Sequence, residues 1–203
     1  MTPWFLARAA GFVALLTASV TVALGAAGPA SWGDRRIIAQ LVHRSAAVVT
    51  LALLALHVIL LVTDRFVDVS IGGALVPFTA GYRGVALGLG TLAAYSFLVA
   101  AASGTLRGRM AASAATARAW RAIHLSAYAA WALAMVHGVL AGTDTGTTWA
   151  PLLYGGSALA VAGAVAARVV AGVRARTAAL PTARRARRDR SPDRPPTLAG
   201  GHR

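Results

Sequence analysis

The sequence contains no cysteine, lysine or glutamate, and each absence narrows the class of protein. Without cysteine, disulfides, thiolate-bound metals and iron–sulfur clusters are excluded for this chain. All 20 basic residues are arginine and all 6 acidic residues are aspartate, which we attribute to a GC-rich coding bias without functional weight. Charged residues make up 13% of the chain, against about a quarter in soluble domains, while 57% are hydrophobic. This composition predicts a membrane protein.

The net charge of +14 is unevenly distributed along the chain. Nine of the 20 arginines lie in residues 174–203, after the last apolar segment. That placement favours a cytoplasmic basic tail that sets the membrane topology, with contacts to anionic lipid headgroups as an additional role, and nucleic-acid binding is not expected. The tail is rich in proline and poor in apolar residues. We therefore predict a membrane domain at residues 1–173 and a disordered cytoplasmic tail at residues 174–203.

Five apolar segments are long enough to cross a bilayer as helices, which takes about 20 residues each. They are Trp4–Leu24, Ile37–Val62, Val85–Ala102, Ala119–Leu140 and Trp149–Val170. Between the second and the third, Asp64–Arg83 is too short and too often interrupted by glycine and proline to span. We predict a re-entrant or interfacial piece there. The predicted fold class is all-α: an integral membrane bundle of about five transmembrane helices with one short interfacial segment.

The arginines also predict how the bundle is oriented. The loop at residues 34–36, the loop at 107–118 and the tail are net positive, whereas residues 64–83 are balanced and the loop at 143–148 carries only Asp144. Placing the positive segments in the cytoplasm puts the N-terminus outside the plasma membrane and the C-terminus inside, with Arg8 as the one exception. The small residues at 26–30 suggest a signal-peptide cleavage site as an alternative, but cleavage would set every later loop against the charge rule.

Four histidines lie inside two of the apolar segments, where ionisable side chains are costly and by default functional. His43 and His57 lie in the second segment, and His124 and His137 in the fourth. In the predicted topology these two helices run parallel, so His43 and His124 lie near the cytoplasmic face and His57 and His137 near the external face. At about 1.5 Å per residue, the two levels are about 20 Å apart. This arrangement predicts two stacked haems with bis-histidine ligation and electron transfer across the membrane.

The helical rotation of the two pairs differs. Fourteen residues separate His43 from His57, which brings them to within about 40° of the same face, but thirteen leave His137 about 140° from His124. Either the fourth span is distorted or its two haems approach from different sides. The competing interpretation is four structural histidines, or a proton path. Zinc or copper is disfavoured because each level offers two imidazoles and no carboxylate or thiolate.

Two stretches, LVHRSAAVVTLALLALHV and WRAIHLSAYAAWALAMVHG, resemble a known family. They are similar to the ferric reductase-like transmembrane domain family, which includes the membrane halves of ferric-chelate reductases and NADPH oxidases and the haem subunit of a periplasmic methionine sulfoxide reductase. The resemblance covers about Trp4–Val170 and includes the unequal histidine spacing. It implies two b-type haems, one ligated by His43 and His124 and the other by His57 and His137.

The chain departs from the larger members of this family, which continue into cytoplasmic flavin and nicotinamide domains. The tail after the last span contains no G-x-G-x-x-G and has no room for a Rossmann unit. We therefore expect a separate flavin-containing reductase or quinol as electron donor. The chain is then the electron-transfer component of an oxidoreductase, and whether it is an enzyme by itself stays open. The predicted number of spans is also one fewer than in many relatives.

Four further residues are candidates for contacts with the haems. Propionates are anionic and need arginine or backbone donors. Arg36 and Arg121, shortly before His43 and His124, are candidates on the cytoplasmic side and Arg83 on the external side, each also explained as a membrane-edge anchor. Trp131 lies seven residues after His124, midway between the levels, where it packs between the porphyrins or serves as an ordinary core aromatic.

Three functions compete at this point. The first is a di-haem b-type cytochrome that passes electrons to an external acceptor, which the sequence leaves open as a ferric chelate, oxygen or a periplasmic protein. The second is a haem-free membrane scaffold or assembly protein with structural histidines. The third, a proton-coupled transporter, is disfavoured because the five spans contain no carboxylate.

Overall fold

Eight helices and no strands make up the part of the chain that the computed structural model describes, residues 2–27, 34–65, 67, 69–110 and 112–189. They are α1 (Thr2–Ala27), α2 (Asp34–Thr63), α3 (Ile71–Leu75), α4 (Gly84–Thr105), α5 (Arg107–Met110), α6 (Ala114–His124), α7 (Ser126–Ala141) and α8 (Trp149–Asp189). Five segments are long and apolar enough to cross a membrane: Pro3–Ala27, Asp34–Thr63, Gly84–Thr105, Ala114–Ala141 and Trp149–Ala178. The predicted all-α membrane bundle with five spans is confirmed.

The spans form two antiparallel hairpins. Helix α1 packs along α2, α4 packs along α6 and α7, and α8 packs against α1. A stripe of buried alanines on α1, formed by Ala7, Ala10, Ala14 and Ala18, lets neighbouring helices approach closely. Because α7 also contacts α1, the two hairpins form one bundle. Large apolar side chains on the outer faces, such as Val48 and Ile59, are exposed, as lipid-facing residues are.

The segment between α2 and α4 folds back along α4. Helix α3 is capped at its N-terminus by Ser70, whose hydroxyl accepts a hydrogen bond from the Gly73 N–H at 3.0 Å. Further along, Thr91 Oγ1 donates to the Ala74 carbonyl at 2.8 Å, and the Tyr95 hydroxyl donates to the Leu75 carbonyl. Tyr95 lies about 16 Å along α4 from its first residue. The segment therefore reaches half-way along α4, as a re-entrant piece does, with its carbonyls satisfied by protein donors.

Arg8, the exception to the predicted charge asymmetry, is paired with an aspartate. Its Nε donates to Asp144 Oδ2 at 2.9 Å, and its Nη2 contacts the other carboxylate oxygen. The two side chains are only 26% and 13% exposed. The ion pair neutralises the arginine and joins the beginning of α1 to the loop between α7 and α8.

Part of the predicted disordered tail is helical in the structure. Helix α8 continues from its span through residues 174–189, because alanine and arginine, which dominate this stretch, are good helix formers. Residues 190–203 lie outside the described part of the chain.

Candidate functional site

The four membrane histidines meet in two pairs between the hairpins. The ring centroids of His43 and His124 are 6.3 Å apart with planes at 62°. Those of His57 and His137 are also 6.3 Å apart, with planes at 79°. Helix α2 therefore runs parallel to the α6–α7 span, and the histidines face each other in the same order along both.

A break between α6 and α7 accommodates the unequal spacing. His124 is the last residue of α6, and Leu125 has φ −65° and ψ −15°. The Tyr128 N–H donates to the Leu125 carbonyl, three residues back, at 3.0 Å. Such 3₁₀-type turns rotate the chain by about 120° per residue, against about 100° in an α-helix. The extra rotation brings His137 toward the face of His124, so the fourth span is distorted.

Each imidazole is oriented by a backbone carbonyl of the neighbouring helix in its own hairpin. Hydrogen bonds join Nδ1 of each ring to one carbonyl oxygen: His43 to Thr21 (2.8 Å), His57 to Ala7 (2.6 Å), His124 to Ala100 (3.1 Å) and His137 to Ala86 (2.7 Å). A carbonyl only accepts, so Nδ1 carries the proton in all four rings. The lone pair is then on Nε2, across the ring from the carbonyl, which is the arrangement of a metal-ligating histidine with its orienting partner.

The separation of each pair matches two imidazoles on one metal ion. A metal–imidazole nitrogen bond is about 2.0 Å long, and a five-membered ring with bonds of about 1.33 Å has a radius of about 1.1 Å. Two such ligands on opposite sides of a metal therefore have centroids about 6.3 Å apart, and both pairs have this value. Direct hydrogen bonding between two rings brings them closer, because only one N–H···N link of about 3 Å then separates the rings.

Each histidine pair would supply two imidazole nitrogens to a metal placed between the rings. Among the described residues, no group of three or more His, Cys, Asp or Glu is placed to hold a metal ion. A metal between two imidazoles needs in-plane donors from elsewhere, and a porphyrin provides them. Helices α2 and α7 are not packed against each other over the described residues, whereas both pack closely on their hairpin partners. The residues present thus fit a haem at each level.

The His43–His124 pair has an additional aromatic neighbour. The Trp120 ring stacks on His124 with centroids 5.2 Å apart and planes at 17°, and its Nε1 donates to the Ser103 carbonyl at 2.9 Å. The Arg107 guanidinium lies over the Trp120 ring, 5.3 Å from its centroid. Ser103 Oγ donates to Ala100 at 2.7 Å and lies 3.0 Å from His124 Nδ1. His124 therefore shares its N–H between two acceptors.

The other predicted site residues lie at the periphery of the pairs. Arg36 and Arg121 are exposed near the His43–His124 end. Arg83 Nη1 donates to the carbonyls of Leu140 and Ala141 at 2.8 and 3.2 Å, so it caps the end of α7 beyond His137. Their contacts to propionates stay predictions.

Trp131 has the contacts of a packing aromatic. Its Nε1 donates to Ser19 Oγ of α1 at 2.9 Å, and its ring packs against a cluster formed by Leu15, Ala150 and Tyr154. The residue lies in α7 between the levels of the two histidine pairs. Its predicted role between the haems is not supported by these contacts, which are with α1 and α8.

The carbonyl acceptors, Ser103 and Trp120 are not among the site residues predicted from the sequence. A signal for the acceptors was present in the spacing of glycines. Gly11 and Gly25 of α1 are fourteen residues apart, as are Gly90 and Gly104 of α4, and this spacing equals that of the histidines in α2. Trp120, four residues before His124, is on the same helical face and was likewise visible as a neighbour.

Comparisons with protein-family models, with curated proteins and with solved structures returned no match. The resemblance to the ferric reductase-like family therefore stays a prediction, and the function is inferred from the geometry of the histidines.

Proposed function

We propose that this protein is a membrane electron-transfer component that holds two b-type haems, one between His43 and His124 and one between His57 and His137. The observation that supports the proposal most strongly is the equal 6.3 Å separation of both imidazole pairs. In addition, the hydrogen bonds from Nδ1 to backbone carbonyls leave Nε2 of each ring free to serve as the ligand atom. A helix bundle that lacks a metal needs hydrogen-bond partners for its imidazoles, but it has no need for this common separation.

The residues of such a carrier have separate roles. The four imidazoles hold the iron, the carbonyls of α1 and α4 fix the ring orientation, and the apolar spans exclude water. When bound, haem supplies a one-electron iron couple whose potential depends on its ligands and surroundings. The two histidine levels, about 20 Å apart, would place such couples so that they divide the membrane thickness of about 30 Å into shorter distances.

The charges at the two ends of the bundle support an orientation with the His43–His124 pair toward the cytoplasm. That end carries a net positive charge from arginines in the loop between α4 and α6 and at the start of α2, whereas Arg8 at the opposite end is paired with Asp144. Under the positive-inside rule, the N-terminus lies outside the plasma membrane and the C-terminus in the cytoplasm. Electrons then enter at His43–His124, from a flavin-containing reductase or quinol, and leave at His57–His137.

The alternative is a haem-free scaffold with structural histidines. In that role the imidazoles need hydrogen-bond partners but no common separation, and the match between the two levels is left unexplained. Visible spectra distinguish the two, because only a haem-containing electron carrier absorbs visible light.

The test is haem quantification on protein expressed with ample haem and purified in detergent. We expect about two haems per chain by pyridine haemochrome assay, with b-type bands after dithionite reduction; without cysteine, c-type attachment is excluded. A variant with all four histidines changed to alanine is the control and should contain none. Haem-free wild-type protein would refute the proposal and favour the scaffold.

A further inference from the structure

Each membrane histidine lies against a glycine of the neighbouring helix. A Cβ placed on these glycines would lie 3.0 Å from His57 Nδ1 for Gly11, 3.2 Å from His43 Cε1 for Gly25, 2.8 Å from His137 Nδ1 for Gly90 and 3.7 Å from His124 Cε1 for Gly104. At all four glycines, the nearest atoms within 4 Å belong to the histidine ring. The glycines therefore make room for imidazoles and not for a helix backbone.

Each of these glycines lies four residues after the carbonyl that binds the imidazole. The pairs of acceptor and glycine are Ala7 and Gly11, Thr21 and Gly25, Ala86 and Gly90, and Ala100 and Gly104. In an α-helix the carbonyl of residue i accepts from the N–H of residue i+4. The glycine is thus the residue already bonded to that carbonyl, and its missing side chain opens the flank of the carbonyl to a second donor.

Close helix packing does not explain this pattern. Helix α1 contains only two glycines, and both lie at the histidines of α2. Helix α1 achieves its other close contacts with alanine, as at Ala14 and Ala18. Glycine weakens a helix relative to alanine, so its use at these two positions needs a local reason.

We propose that Gly11, Gly25 and Gly90 are positioning residues for the imidazoles, whereas Gly104 has the same relation to His124 but leaves room for a methyl group. Each glycine, with the carbonyl four residues before it, forms a notch that sets the direction of one imidazole. This inference rests on the proposed haem-binding function and adds the determinants of ligand orientation. The notches are tightest at the His57–His137 pair, where the Cβ distances are 3.0 and 2.8 Å, and loosest at Gly104, where 3.7 Å is an ordinary contact.

The test is a series of single alanine substitutions. Gly90→Ala and Gly11→Ala should each remove the His57–His137 haem or shift its midpoint potential and low-spin EPR signal, and leave the His43–His124 haem unchanged. Gly25→Ala should perturb the His43–His124 haem more weakly. Gly104→Ala should retain both haems with wild-type spectra, because its methyl group fits.

Matched variants and the second haem control for folding in this series. Gly104 lies in the same helix as Gly90, and both follow an acceptor carbonyl by four residues, so Gly104→Ala is the matched control. Gly163→Ala in α8 is a second control, because a Cβ there has no neighbour within 4 Å. The retained His43–His124 haem reports a folded bundle in the Gly90 variant. Alanine is also the better helix former, so loss of haem cannot come from a weakened helix.

The outcomes separate this proposal from the haem-binding function itself. Wild-type protein with two haems, together with unchanged content, potentials and EPR in Gly90→Ala, would overturn the positioning role alone. Equal losses in the Gly90 and Gly104 variants would do the same. Haem-free wild-type protein would refute the function. In that case, histidine ¹⁵N NMR still tests the notch, because Gly90→Ala should break the hydrogen bond from His137 Nδ1 to the Ala86 carbonyl. An intact hydrogen bond would overturn the notch.

Discussion

The two ligand pairs lead to a test with single histidine substitutions. His43→Ala and His124→Ala should each remove the same haem, because each takes one of two axial bonds from one iron, and His57→Ala and His137→Ala should remove the other. Redox titration and haem content measure which one is lost. His202→Ala, in the tail, serves as the control and should match the wild type. A His43 variant that titrates like a His57 variant would show that the pairing is wrong.

The stack of Trp120 on His124 would make the two proposed haems distinguishable. Trp120→Leu removes the aromatic face that fixes the ring, so we expect a shift in the potential and EPR signal of the His43–His124 haem only. Trp120→Phe retains an aromatic face and should shift them less. Trp131→Leu is the matched control, since Trp131 packs on α1 and α8. Equal shifts of both haems in the Trp120 variant, or none, would contradict this expectation.

At the residue scale, the sequence predicts the site residues whose chemistry differs from that of their neighbours. His43, His57, His124 and His137 are conspicuous because ionisable residues are rare in apolar helices. The acceptors at Ala7 and Ala86 are harder to find, because a backbone carbonyl is present at every residue and only the glycine four residues later distinguishes these two. Arg83 was read as a propionate partner from its position alone, and the cap it forms on α7 depends on where that helix ends.

At the element scale, the break between α6 and α7 sets the direction of His137. Inserting one alanine after Ser126 should turn His137 by about 100° and move it by about 1.5 Å relative to His124. We expect loss of the His57–His137 haem with the other retained, measured by haem content and redox titration. An alanine inserted at Gly146, whose surroundings are open, should leave both haems in place. Two haems with unaltered potentials after the Ser126 insertion would show that the break has no such role.

The long elements were predictable because five runs of apolar residues of spanning length leave few alternatives in a membrane. The position of the break at Leu125 was not predictable, since the sequence IHLSAY contains no glycine or proline to mark it. The re-entrant path of residues 64–83 depends on Thr91 and Tyr95 of α4, which bind its carbonyls. Glycines and prolines in the segment indicated an interruption but not the helix against which it folds.

For the whole molecule, the proposed function includes an external source of electrons. NADPH alone should not reduce the purified, flavin-free protein, because a hydride donor needs a two-electron carrier before single electrons can enter a haem. Addition of a flavin reductase with its flavin, or of a quinol, should reduce the haems; absorbance at the b-type α band measures this. Rapid reduction by NADPH alone in a flavin-free preparation would mean that the chain contains a nucleotide site.

The central claim is that each chain holds two haems by histidine pairs, and low-temperature EPR of the oxidised protein tests it most directly. Imidazole planes at 62° and 79° are closer to perpendicular than to parallel, so they leave the iron orbitals that bond with them nearly equal in energy. We therefore predict two strongly anisotropic low-spin ferric signals that together account for two spins per chain. High-spin signals, a single low-spin haem or no haem signal would contradict the claim.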